Sequence, residues 1–139
     1  MVKSVIVDTG PLVAALRQRD KHHAWARAHF EAASEPFISC EAVISEAVFL
    51  LERAGGGKEA LFGLLERGIV VIRYSLEKEI GETLRLMRRY RDTPMSFADA
   101  CLVRMAEESD DVVVFTTDSD FRFYRRNGRQ VIPLIIPGC

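Results

Sequence analysis

Four short stretches each set a carboxylate beside an apolar run: VIVDTG with Asp8, ISEAVFLL with Glu46, SFADACLV with Asp99 and VVVFTTDSDF with Asp118. Asp8, Asp99 and Asp118 fall where a strand ends or a helix begins. Such positions converge on one edge of an α/β sheet, where ligands bind. Carboxylates gathered at one point repel one another. A divalent cation relieves that repulsion, and hard cations such as Mg2+ or Mn2+ take oxygen ligands. The set therefore predicts a metal-dependent enzyme acting on phosphate. Mg2+ takes few carboxylates directly, so Asp8 and Asp99 are expected as direct ligands. Glu46 and Asp118 would bind through water or complete a second metal position.

Each acid also has an ordinary structural role. Asp8 suits a turn or cap. Glu46 lies within a helix beside Val43, Phe49 and Leu50, where the edge of an apolar face would point it to water. Ser96 to Asp99 reads as a capping box, and an acid in a first turn suits the helix dipole. Asp118 or Asp120 could cap a helix carrying Phe121 and Tyr124. Two acids at a strand's carboxyl end exceed what a cap needs, and the joint placement of all of them favours chemistry.

The elements that would position these acids follow from periodicity. Residues 3–7 read as a strand, and Pro11 opens a helix over 11–19. Asp20 is expected to cap a helix over 21–33, and 37–40 is a short strand. Residues 41–54 form a helix, with Val43, Ala47, Leu50 and Ala54 at the 3.6 period and glycines 55–57 ending it. A helix over 58–68 precedes a buried strand at 69–74. A charged amphipathic helix spans 76–91 and stops at Thr93–Pro94. Residues 96–109 are helix, 112–117 strand and 131–136 a last strand. Alternating strands and helices predict an α/β fold with a mostly parallel sheet and right-handed crossovers.

The 139 residues suit one domain with a single substantial core. The chain is 48% hydrophobic and 28% charged, which excludes a disordered tail. No apolar run reaches the length of a membrane span, and residues 1–10 lack an extended signal-peptide core. A cytosolic protein with no membrane association is expected. Three cysteines, Cys40, Cys101 and Cys139, fit no zinc spacing. Cys40 and Cys101 read as buried reduced thiols, and the terminal Cys139 as open to oxidation. The net charge of −1 argues against a general nucleic-acid coat protein, but not against a nuclease with local basic patches.

Together these motifs resemble the PIN-domain ribonucleases, and among them the VapC-like toxins of toxin–antitoxin pairs. VDTGPLVAALRQRDKHH is similar to the family's opening strand, Asp-Thr/Ser turn, helix and Asp…His segment. ISEAVFLL, PMSFADACLVRMAEE and FTTDSDF resemble its next three motifs, in the family's order and over essentially the whole chain. The resemblance implies a PIN-like three-layer α/β/α domain over 1–139. It also implies an acidic pocket of Asp8, Glu46, Asp99 and Asp118 that binds Mg2+ or Mn2+ and hydrolyses RNA. Thr9 and Thr116 would support the pocket by hydrogen bonds, and Asp120 would be a provisional ligand. The implied mechanism is metal-assisted phosphodiester hydrolysis, which needs no histidine. His22, His23 and His29 are expected on the surface, away from the acids.

Two runs are rich in arginine. Arg85, Arg88, Arg89 and Arg91 read as a solvated helix face. Arg122, Arg125 and Arg126 directly follow the last acids and interleave with Phe121, Phe123 and Tyr124, which could stack on unpaired bases. Those three arginines are expected to guide RNA to the metal. The resemblance further implies a homodimer and an antitoxin that plugs the pocket. Trp25 and Phe30 would serve either contact, or core packing. A haloacid-dehalogenase-like phosphohydrolase needs a second Asp where this chain has Gly10. A phosphorylated receiver domain needs paired acids and a late lysine that are not evident. A non-catalytic PIN-like scaffold or RNA-binding module is the remaining alternative.

Overall fold

β-Branched runs build the middle of a sheet in the computed structural model, which describes residues 3–138. In chain order the elements are β1 (Ser4–Val7), α1 (Thr9–Leu16), α2 (His23–Ala32), β2 (Phe37–Ser39), α3 (Glu41–Leu50), α4 (Gly57–Glu66) and β3 (Val70–Ile72). They continue with α5 (Leu76–Arg89), α6 (Phe97–Glu107), β4 (Val112–Phe115), a 3-10 turn at Ser119–Arg122, β5 (Arg125–Arg126), β6 (Gln130–Val131) and β7 (Leu134–Ile135). Five strands pair in the order β3-β2-β1-β4-β7, all parallel. Helices flank the sheet. Strands buried on both faces explain why VIV and VVVF are continuous apolar runs rather than alternating ones.

The strand order matters for function. From β1 the chain winds outward through β2 to β3, then returns to the other side of β1 with β4. The winding direction thus reverses between β1 and β4, a point where α/β sheets open a crevice at the strands' carboxyl ends. The register pairs Val7 with Phe115, so the residues that follow them, Asp8 and Thr116, emerge side by side.

Ile6, Val7, Leu12, Val43, Leu102, Val114 and Phe115 are fully buried in the core. Phe115 gathers an aromatic cluster: Trp25 at 5.1 Å, His29 at 5.2 Å, Phe30 at 5.5 Å and Phe37 at 5.8 Å between ring centroids. Each such pair of Phe or Trp rings contributes about 1 kcal/mol beyond area burial. Trp25 and Phe30 are therefore committed to packing. Cys40 and Cys101 are buried free thiols, while Cys139 lies outside the described residues. Among the described residues no helix is long and apolar enough to cross a membrane.

Several elements depart from expectation. α1 begins at Thr9, two residues before Pro11, because the Asp8 carboxylate accepts the Thr9 N–H at 2.7 Å and caps it. α2 starts at His23, after a turn in which Asp20 Oδ1 accepts the His22 N–H at 2.9 Å. The helix expected from Phe121 is only a 3-10 turn, followed by the antiparallel β5–β6 hairpin. Asn127 and Gly128, at φ 52° and 86°, turn that hairpin. The strand expected over 131–136 is split at Pro133: Val131 pairs with Arg125, and only Leu134 and Ile135 join the main sheet. In the first arginine run, Arg85 pairs with Glu82 and Glu107, and Arg89 donates to the Gly128 carbonyl at 2.6 Å.

Candidate active site

Asp8 directly follows β1, with both carboxylate oxygens held. Oδ1 accepts the Thr9 N–H at 2.7 Å, and Oδ2 accepts the Thr116 hydroxyl at 2.7 Å. The same Thr116 oxygen accepts the Asp118 N–H at 2.9 Å. One threonine thus fixes the first acid and the backbone of the fourth. Burial pushes the Asp8 carboxyl up to about 7, against the pull of the Thr116 and Thr9 bonds, and the charges of Asp99 and Asp118 raise it further.

Asp99 is buried in the first turn of α6, where the expected capping box forms. Its N–H donates to Ser96 Oγ at 3.0 Å, and its Oδ2 accepts the Ser96 N–H at 3.1 Å. The Tyr124 hydroxyl lies 3.1 Å from that same Oδ2 and 3.3 Å from the Pro94 carbonyl, sharing its one proton between them. Burial raises the Asp99 carboxyl above the usual range. Burial and the neighbouring Asp99 hold the Tyr124 phenol up, so it stays a donor. The sequence reading missed Tyr124 as an anchor of Asp99. Its only signal was an aromatic with a polar tip just after the last motif.

Asp8, Glu46, Asp99 and Asp118 all line one pocket of about 790 Å³. Glu46 is exposed on α3, and Asp118 caps the 3-10 turn by accepting the Asp120 N–H at 2.9 Å. Asp20, expected only as a cap, lines the pocket too, beside Arg17, Lys21 and His22. Asp120 is not among the lining residues; its carboxyl, raised above the usual range by partial burial and then by Asp118, stands beside Asp118. Gly10 is required here. A Cβ at this position would stand 2.0 Å from Thr117 Oγ1, so the loop after β4 closes on bare backbone. The second Asp of a haloacid-dehalogenase-like site would have no room.

The fit of this set to a cation can be judged from its unmet needs. Among the described residues, none of the four acids is ion-paired with lysine or arginine. Thr9 Oγ1 is buried in the pocket wall and has no hydrogen-bond partner among the described residues. Thr9 therefore supports Asp8 through its N–H, not its hydroxyl. No three acidic, histidine or cysteine side chains among the described residues close into a metal cage. A looser set of oxygens suits Mg2+, which keeps several waters and takes one or two carboxylates. The donors present fit a hard cation.

Other expected site residues fall differently. His22 lines the acidic pocket, contrary to expectation, because α1 is short and the 17–22 loop returns to its rim. His23 Nδ1 bonds the Ala14 carbonyl at 2.8 Å, and His29 packs on Trp25 and Phe115. The RNA-guiding role expected of Arg126 is not compatible with its placement. Its guanidinium is buried against the Ala106 and Ser109 carbonyls, 3.4 and 3.3 Å away. Arg125 folds onto the Arg122 and Tyr124 carbonyls. Arg122 is exposed outside the pocket.

No curated protein matches the sequence. Among solved structures, the chain is similar to Mycobacterium tuberculosis VapC20, described as a sarcin–ricin-loop-cleaving toxin. The TM-score is 0.73 at 18% identity, covering 84% of this chain and 92% of that one, which is a likeness of fold. The sequence profile of the PIN domain matches residues 5–127, a span that holds all four acids. The chain belongs to the PIN-domain family.

Proposed function

We propose that this protein is a Mg2+- or Mn2+-dependent endoribonuclease and the toxin of a toxin–antitoxin pair. The observation that carries the reading is the pair of buried acids, Asp8 and Asp99. Neither has a cationic partner, and both open with Glu46 and Asp118 on one pocket at the sheet's reversal point. Family membership and the VapC20-like fold support the reaction class.

Asp8 and Asp99 would hold the metal directly, and Glu46 and Asp118 would complete its surroundings. When bound, the ion supplies Lewis acidity, lowering the pKa of water and neutralising charge on the phosphate. The protein's own part is orientation. Thr116 and the Thr9 N–H aim Asp8; Ser96 and Tyr124 aim Asp99. Because both carboxylates are fixed before substrate arrives, little reorganisation remains for the transition state. An RNA substrate, a homodimer and an antitoxin that covers the pocket complete the proposal.

The test is cleavage of structured RNAs with Mg2+ or Mn2+, beside EDTA and Asp99→Asn controls. Cleavage lost on chelation and in the variant is expected. Equal cleavage in every sample would trace the activity to a contaminant and remove the reading.

A further inference from the structure

Beside the acidic pocket lies a second one, of about 750 Å³, formed where α1 ends, α2 begins and α3 turns into α4. We propose that this pocket binds backbone phosphates of a single-stranded RNA segment adjoining the scissile bond. The inference rests on the ribonuclease reading of the acidic site and adds to it the path of the substrate.

The charge of the pocket is one-sided. Arg17, Arg19, Arg27 and Arg53 line it, and no Asp or Glu does. This concentration is local, since the whole chain has a net charge of −1. Two of the arginines are uncommitted: among the described residues, Arg19 and Arg53 make no side-chain hydrogen bond or ion pair. Arg27 pairs with Glu31 in an exposed contact that salt screens. Arg17 donates to the Leu50 carbonyl, which anchors its guanidinium.

Arg17 also lines the acidic pocket, so the two pockets adjoin at one side chain. A strand with one phosphate at the acids therefore passes Arg17 and meets the other arginines next. Guanidinium groups match phosphate by paired, charge-assisted hydrogen bonds. One wall is the glycine turn 55–57. A Cβ at Gly55 or Gly56 would meet nothing within 4 Å, so the wall there is bare backbone that lets a strand come close. A concave pocket of this volume takes a strand or loop, whereas a duplex presents its phosphates on a convex surface. Unpaired RNA is also the form whose sequence proteins read. An acidic protein segment shares the charge, but only a polyphosphate chain continues into a centre built for a phosphodiester.

The experiment measures binding of a fluorescein-labelled unstructured 12-nucleotide RNA to the Asp99→Asn protein in Mg2+ across a KCl series. Arg19→Gln/Arg53→Gln in that background removes two phosphate contacts. At about 0.7 per contact, the slope of log K against log salt flattens by about 1.4. Over the decade from 1 M to 0.1 M salt this amounts to about 25-fold weaker binding at the lower concentration. Arg67→Gln/Lys78→Gln loses the same charge at exposed sites lining neither pocket, and should bind as the parent does. Unchanged affinity and slope in the first variant, or an equal loss in the second, overturns the proposal. Displacement of the RNA by hexaglutamate at matched charge would assign the pocket to an acidic protein segment and also overturn it. Binding that depends on Arg19 and Arg53, without cleavage by the wild type, removes the nuclease reading and leaves the pocket. Cleavage with unaltered binding removes the pocket alone.

Discussion

Replacing Asp8 by Asn removes a charge that the metal-free fold resists carrying. Burial is the main cause, and it raises the carboxyl from 3.8 to about 7. Between these values the folded state holds one proton more than the unfolded chain. Stability linked to this group is therefore fully present below about 3.8 and is lost progressively as pH rises from there through about 7. Roughly three units at ~1.4 kcal/mol each give about 4 kcal/mol, an upper bound because the pocket opens to water. For a chain of this size 1 kcal/mol moves Tm by about 3 °C, so the fall is at most about 12 °C. Other raised groups, Asp99 and Asp120 among them, push in the same direction, so the readout is the difference between wild type and Asp8→Asn. Thermal melts in EDTA from pH 4 to 8.5 should show the two proteins close together at pH 4 and the variant more stable at pH 8.5. Adding Mg2+ at pH 8.5 should raise the wild type and leave the variant nearly unmoved. A variant destabilised equally at every pH would mean that Asp8 is charged and satisfied throughout. Asp8 would then need no cation to carry its charge.

Two further substitutions probe the framework around the acids. Gly10→Ala drives a methyl group into Thr117 and shifts the loop bearing Asp118; cleavage should fall by at least about tenfold for a stability cost of about 1–3 kcal/mol, compared by urea unfolding and initial rates. Tyr124→Phe leaves Asp99 Oδ2 with only the Ser96 N–H and should cost about 1 kcal/mol. Single-turnover cleavage at saturating RNA should slow while RNA affinity stays constant, which separates positioning of Asp99 from substrate binding.

The sheet and the four acids were legible because their signals are local. A β-branched run ending in Asp, and a Ser-x-x-Asp before an apolar helix, mean much the same in any context. Cap and pocket acid proved compatible roles: Asp99 closes the capping box and still lines the pocket. The segment after Asp118 was misread because its pattern is ambiguous. Phe121 and Tyr124, three apart, suit a helix, yet the 3-10 turn ends at Arg122 and both side chains are still wholly buried, while Phe123 stands 69% exposed. Asn127–Gly128 was the overlooked signal for a hairpin. Arg126 looked like an RNA contact because nothing nearby in sequence announces its partners, the carbonyls at the end of α6. Arg17 and His22 reach the acidic pocket only because α1 stops at Leu16, and that boundary carries neither Gly nor Pro.

The hydrogen bond from Thr116 to Asp8 joins residues 108 positions apart. It exists only once β4 has paired beside β1 in register, and a slip of one residue would turn Thr116 to the opposite face. During synthesis, a chain that has emerged through α6 already carries Asp8, Glu46 and Asp99, but it lacks the strand that aims the first and the loop that supplies Asp118. Such a chain has the acids without the site. The acidic pocket is thus assembled by completion of the fold, and no shorter nascent segment presents all four carboxylates in their final places.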